Sequence, residues 1–197
     1  MPARPPAPEF SDLFPMNDFL FALRFATALA CGLMAGVFFA FSTFVIKGLS
    51  RLPAAAGISA MQAINSSAVH SFFLAAFLGT SAACLLVAFS SVLQWSHPSA
   101  VYSLAGGLAF LAGGFLVTMI FNVPMNDSLA TLSPTASDSA ARWASYLTNW
   151  TRWNHLRTAA SLAASALLIV GAFAERNDEA LPRQTRSPET TSNDASK

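Results

Sequence analysis

The sequence predicts an all-α protein: a four-transmembrane-helix bundle whose second and fourth helices extend beyond the membrane on one face. Three observations carry this. Of 197 residues, 54% are hydrophobic and only 11% charged, whereas an ordinary globular domain carries about twice that charge. Four apolar runs each approach the ~20 residues a helix needs to cross a ~30 Å hydrocarbon core. Clusters of Gly, Pro, Asn and Ser punctuate those runs where a chain must turn. The expected partner is a lipid bilayer, with the chain an integral, multi-pass protein. A formal net charge of +1 and the lack of a basic stripe argue against nucleic acid.

Residues 1–15 hold Pro2, Pro5, Pro6, Pro8 and Pro15 and read as a disordered leader. The first span covers residues 19–46. Arg24 lies close enough to its start to snorkel to the interface. Gly32 and Gly36, four apart, allow close approach of another helix. A mildly amphipathic stretch with Met61, Gln62 and Asn65 precedes the second span, residues 72–92. With no helix breaker between them, one helix over 58–95 would be roughly 57 Å long and would project from the membrane.

After Ser96, His97 and Pro98, the third span covers residues 101–121, with small-residue pairs at Gly106, Gly107, Gly113 and Gly114. The run Asn122-Val123-Pro124-Met125-Asn126-Asp127 is expected to end it, because proline biases Val123 away from helix. The fourth helix is expected over residues 141–174, polar and aromatic first, then apolar. The membrane domain is thus residues 16–174, followed by a disordered polar tail over 175–197. Four spans put both termini on one face. Lysine and arginine divide six to five between the faces, a slight lean towards cytoplasmic termini. Cys31 and Cys84 lie inside apolar runs and form no CxxC pattern, so they read as small buried hydrophobes.

The densest chemistry is Tyr146 to Thr158, beside the last apolar run. At helical steps of three and four, Trp143, Tyr146, Trp150, Asn154 and Arg157 share one stripe, continued by Ser161, Ala164 and Ser165. That stripe should face inward. His155 points about 140° away from Trp150. One reading is a pocket at the bundle's mouth, with indoles stacking on a flat aromatic ligand and amides and guanidinium binding its oxygens. The other is an aromatic interface belt, most natural for Trp143 and Tyr146, which lie furthest from the apolar run. Asn122, Asn126 and Asn154 favour a polar site, since amides near a bilayer need partners. Helix-end capping would equally explain Asn122 and Asn126. His70 and His155 share a face with Asp127 and Asp138, but no tight spacing supports a metal site.

Four blocks carry a family resemblance: Gly36-Val37-Phe38-Phe39-Ala40-Phe41-Ser42, Gly57 through Asn65, Asn122-Val123-Pro124-Met125-Asn126, and Trp150 through Thr158. In this order the chain resembles the anthrone oxygenase-like family of small integral membrane proteins. It departs from the expected pattern before the second span, where His70-Ser71 stands in place of Asn-Pro. The resemblance implies a four-helix membrane bundle. It also implies O2-dependent oxidation of an anthrone or polycyclic phenol to a quinone, with no organic cofactor and no metal.

An anthrone's central CH2 is acidic because its conjugate base is an aromatic enolate, which can reduce O2 directly. On that reading the expected catalytic residues are His155 as base, with Arg157 and Asn126 on the enolate oxygen. Asn65, Asn122, Trp150, Trp153 and Asn154 would bind the substrate. The rivals are a non-enzymatic membrane protein that binds a lipid, quinone or partner helix through its polar cluster, and a haem or iron protein using His70 and His155.

Overall fold

The computed structural model describes residues 16–180, and all regular structure among them is helical. Helix α1 (Met16–Ala40) passes through a π-helical turn (Phe41–Val45) into a short α2 (Ile46–Leu49). Helix α3 (Ala54–Val69) is followed by α4 (Phe72–Leu93). Helix α5 (Ser99–Ala109) runs through two π-helical segments, Phe110–Leu116 and Thr118–Asn122, into α6 (Val123–Ala130). Helix α7 (Ser139–Ala180) has 42 residues, roughly 63 Å of helix.

Four stretches are long and apolar enough to cross a membrane: Asp18–Leu49, Phe72–Leu93, Ser99–Ala130 and Ser139–Ala174. Their outward faces carry Leu33, Phe39, Leu85, Phe89 and Leu162, all exposed. Such a surface would be a liability in water, whereas hydrocarbon solvates it. Helix α7 packs chiefly against α1 and α5. Backbones approach through glycine: a Cβ on Gly113 would collide with that of Ala160, and one on Gly107 would stand 2.8 Å from the Cys84 carbonyl. Gly106, Gly107 and Gly113 of the third span therefore serve helix packing, whereas of the pair expected to do so in the first span Gly32 faces Ser165 and Gly36 has open space around it.

The interior has two apolar clusters. One holds Met34, Phe38, Phe77, Phe110 and Leu168, together with Cys31 and Cys84. Those two thiols are free, with sulfurs 3.5 Å apart. The other holds Ile58, Met61, Leu129, Leu132, Trp143, Tyr146 and Trp150.

The structure corrects four expectations. The helix expected over 58–95 is broken at His70–Ser71. Ser71 is extended (φ −116°, ψ 170°), and its hydroxyl accepts the Phe73 N–H at 3.2 Å, capping α4. Pro124 does not end the third span. It falls in the first turn of α6, just after a π segment, where a missing N–H costs least. Arg24 does not snorkel; it is fully buried, and its Nη2 donates to Gln94 Oε1 at 3.4 Å. Trp143 and Tyr146 do not form an exposed belt, being 4% and 7% exposed. Residues 1–15 and 181–197 lie outside the described residues, and 175–180 belong to α7 rather than to the expected tail.

Candidate functional site

A layer of polar side chains lies among the aromatic groups where the two apolar clusters meet. The stripe expected from spacing, Trp143, Tyr146, Trp150, Asn154, Arg157 and Ser161, is buried along its whole length on α7. Asn122 and Asn126 reach it from the third span because that helix continues past Pro124. Each asparagine has its own partners. Asn126 Oδ1 accepts both the Tyr146 hydroxyl and the Trp150 indole N–H, each at 2.8 Å. Asn154 Nδ2 donates to the Phe38 carbonyl at 2.7 Å and to Ser42 Oγ at 2.8 Å. Asn122 Nδ2 makes a long bond, 3.4 Å, to the Trp150 carbonyl. Neither Asn122 nor Asn126 is explained by helix capping: Asn122 stands at the N-cap of α6 without a side-chain cap bond.

Arg157 completes the layer. It is 6% exposed, with its guanidinium carbon 3.8 Å from the Phe38 ring centre and 5.7 Å from that of Trp150. Aromatic faces stabilise a cation there. No carboxylate pairs with it among the described residues, whose one ion pair of this kind joins Arg142 to Asp138 at 3.9 Å on the surface. Several buried atoms nearby have no hydrogen-bond partner: Arg157 Nε, Asn122 Oδ1, Asn154 Oδ1, Asn65 Nδ2 and Ser161 Oγ. A buried polar group left so costs about 1–3 kcal/mol, so the layer holds hydrogen-bonding capacity that its own side chains do not use. The three asparagines are not bonded to one another, as a purely structural polar core would have them.

Other expected site residues fall elsewhere. Trp153 is stacked on Phe121, ring centres 3.5 Å apart, so its face is already covered. Asn65 is half-buried on α3 and faces the Tyr146 hydroxyl. His155 does not join the buried layer. It is exposed and lines an outer groove of about 420 Å³ with Lys47, Thr151 and Arg152. The 140° offset from Trp150 turns it away from Asn122 and Asn126. His70 is exposed, with Nδ1 2.8 Å from the Ser66 carbonyl, and no group of three His, Cys, Asp or Glu gathers among the described residues.

Two participants were not singled out from sequence. Phe38 supplies both a carbonyl to Asn154 and a ring to Arg157. Ser42 links Asn154 to Thr158, whose hydroxyl lies 3.1 Å from its own. Both sit in the Gly36–Ser42 block that carries part of the resemblance, which was the available signal. A cleft of about 220 Å³ lies between Met125, Leu129 and Tyr146, and Tyr146 is the residue it shares with the layer.

The fold and site define a class: a helical bundle with four potential membrane spans and a buried guanidinium–carboxamide layer at one end of its core. Residues 61–167, more than half the chain, match the anthrone oxygenase family, and the chain belongs to that family. No curated protein and no solved structure matches the chain.

Proposed function

We propose that this protein oxidises an anthrone-type or related polycyclic phenolic substrate to a quinone with O2. The observation that carries the reading is Arg157, a buried cation facing aromatic rings with no carboxylate among the described residues to neutralise it. A buried charge without a counterion is costly, so the site favours a ligand that brings negative charge. An enolate does so as the reaction begins. Interactions stronger with that anion than with the neutral ketone lower the barrier.

In this reading the substrate approaches through the cleft beside Tyr146 and lies against Trp150. Arg157 and Asn122 hold its oxygen, and Asn126 fixes the Tyr146 and Trp150 side chains that shape the site. Loss of one proton from the central CH2 gives the enolate. The carbanion carbon gives electrons to O2 and forms a C–O bond to it, and the terminal oxygen of the resulting peroxide anion takes up a proton, giving a hydroperoxide. Loss of the remaining C–H proton with cleavage of the O–O bond gives the carbonyl and water. The ring carbon is oxidised and O2 reduced, with one O2 consumed and one water released per quinone. His155 lies on the outer groove, so the proposal assigns the first proton to water through the substrate's enol tautomer rather than to that imidazole.

Oxygen uptake by the purified full chain in detergent, against a panel of anthrones and hydroquinones, tests this. Equal O2 loss and quinone formation, falling roughly 100-fold in Arg157→Met, is expected. Absence of uptake by the unsubstituted protein on every anthrone would overturn it.

A further inference from the structure

The outer groove that takes His155 away from the buried layer has chemistry of its own. It runs between the end of the first span, at Ser42, Thr43, Ile46, Lys47 and Ser50, and the fourth, at Leu147, Thr148, Thr151, Arg152 and His155. Two of its residues, Lys47 and Arg152, are basic and none is a carboxylate. No carboxylate elsewhere among the described residues pairs with either cation. The hydroxyls are largely spent as donors: Thr43 donates to the Phe39 carbonyl at 2.7 Å, Thr148 to Ala144 at 3.1 Å, Thr151 to Leu147, and Ser50 to Lys47 at 3.0 Å. Donors to a ligand must therefore come from the Lys47 ammonium, the Arg152 guanidinium and the His155 ring.

The surroundings fix the kind of ligand. Lys47 stands two positions before the end of the span Asp18–Leu49, at the depth where a spanning helix meets headgroups. Towards the middle of the bilayer the same helix faces become apolar. Thr43 bonds through its hydroxyl to the carbonyl of Phe39, with Gly36 three residues further along α1, and His155 is followed at steps of four and three by Ala159 and Leu162. Phe39 and Leu162 are 53% exposed, and nothing lies within 4 Å of where a Cβ on Gly36 would stand. An anionic head at the cations with an acyl chain in this seam satisfies both ends, whereas a soluble anion would use only one.

We propose that this groove binds the phosphate of an anionic phospholipid, with one acyl chain lying along the Gly36–Leu162 seam. The groove shares only Ser42 with the buried layer and uses neither Arg157 nor the asparagines, so this site is independent of the oxidase reading.

Native mass spectrometry of the purified full chain tests it, with phosphatidylglycerol or phosphatidylcholine added at equal concentration. Phosphatidylglycerol adducts are expected in clear excess. Lys47→Gln and Arg152→Gln should each weaken them about fivefold, the factor that ~1 kcal/mol per surface cation corresponds to. Thr151→Asp, which puts a carboxylate into the groove, should abolish the excess. Arg142→Gln, remote from the groove, should leave it unchanged and controls for net charge. Equal binding of the two lipids would overturn the proposal, as would an equal loss in Arg142→Gln. So would displacement of phosphatidylglycerol by an equal concentration of inorganic phosphate, which would make the site one for free anions. Each variant is compared at matched elution on size exclusion, so that misfolded protein is not scored.

Discussion

The Arg157 guanidinium lies 3.8 Å above the Phe38 ring, joining α7 to α1 just before α1 enters its π-helical turn. The contact holds a planar cation flat, with its edge free to meet an oxygen. Replacing Arg157 by Met keeps much of the volume and removes the buried charge. Thermal stability in detergent should hold or rise, because exchanging a buried ion for an apolar isostere is often neutral or stabilising. Turnover should fall roughly 100-fold or more, in the range of a lost oxyanion donor. Arg157→Lys keeps charge but not the stacked plane and should recover only part of it. The split between stability and turnover is the readout. A variant that loses both together would mark Arg157 as a structural residue.

Asn126 is the joint of the layer, because one carbonyl oxygen accepts two buried donors. Asn126→Ala strands the Tyr146 hydroxyl and the Trp150 N–H, at about 1–3 kcal/mol each. Tyr146→Phe in the same chain removes one of the stranded donors. The double variant should therefore be more stable than the sum of the single losses allows, with a coupling of about 0.5–3 kcal/mol. Denaturation of the three variants measures it. Strict additivity would contradict the shared acceptor.

Much of this layer was readable from steps of three and four along one helix. Trp150, Asn154, Arg157 and Ser161 face inward because α7 is an unbroken α-helix from Ser139 to Ala180. The same phasing put His155 off the stripe, while its assignment as base followed residue type. What periodicity could not show is where the helix changes pitch. The π-helical turns at Phe41–Val45 and Thr118–Asn122 break the 100° step, and they bracket Ser42 and Asn122, whose placement depends on it. Such turns recur at functional sites. Burial of Trp143 and Tyr146 was also hidden. Both suit an interface by residue type, and only the packing of α3 and α6 around them covers their rings.

Gly113 offers a packing test away from the layer. A methyl group there would collide with Ala160 where the π-helical segment Phe110–Leu116 packs on α7. Gly113→Ala should cost about 1–3 kcal/mol through overpacking. Adding Ala160→Gly clears the same space and should restore much of the loss. Gly36→Ala, with open space around it, should be close to neutral. Melting curves of the three proteins decide this, and a destabilised Gly36→Ala with a tolerated Gly113→Ala would show the helices to be packed otherwise.

Asn154 distinguishes a layer that binds an anion from one that merely holds helices together. Its Nδ2 donates to Phe38 O and Ser42 Oγ while its Oδ1 stays without a partner. Asn154→Asp exchanges the donor for a second acceptor, so the carboxylate faces the Phe38 carbonyl unfavourably. Three residues on, however, Arg157 lies on the same helix face and offers it an ion pair. The swap should therefore leave a folded protein whose guanidinium is already neutralised. Turnover should fall at least as far as in Arg157→Met, with substrate affinity falling alongside. Asn154→Leu removes the same two hydrogen bonds but leaves Arg157 unpaired. It should lose stability, while the fraction that folds keeps more activity than Asn154→Asp. If Asp is the milder substitution for turnover, the role given to Arg157 as the site's anion partner is wrong.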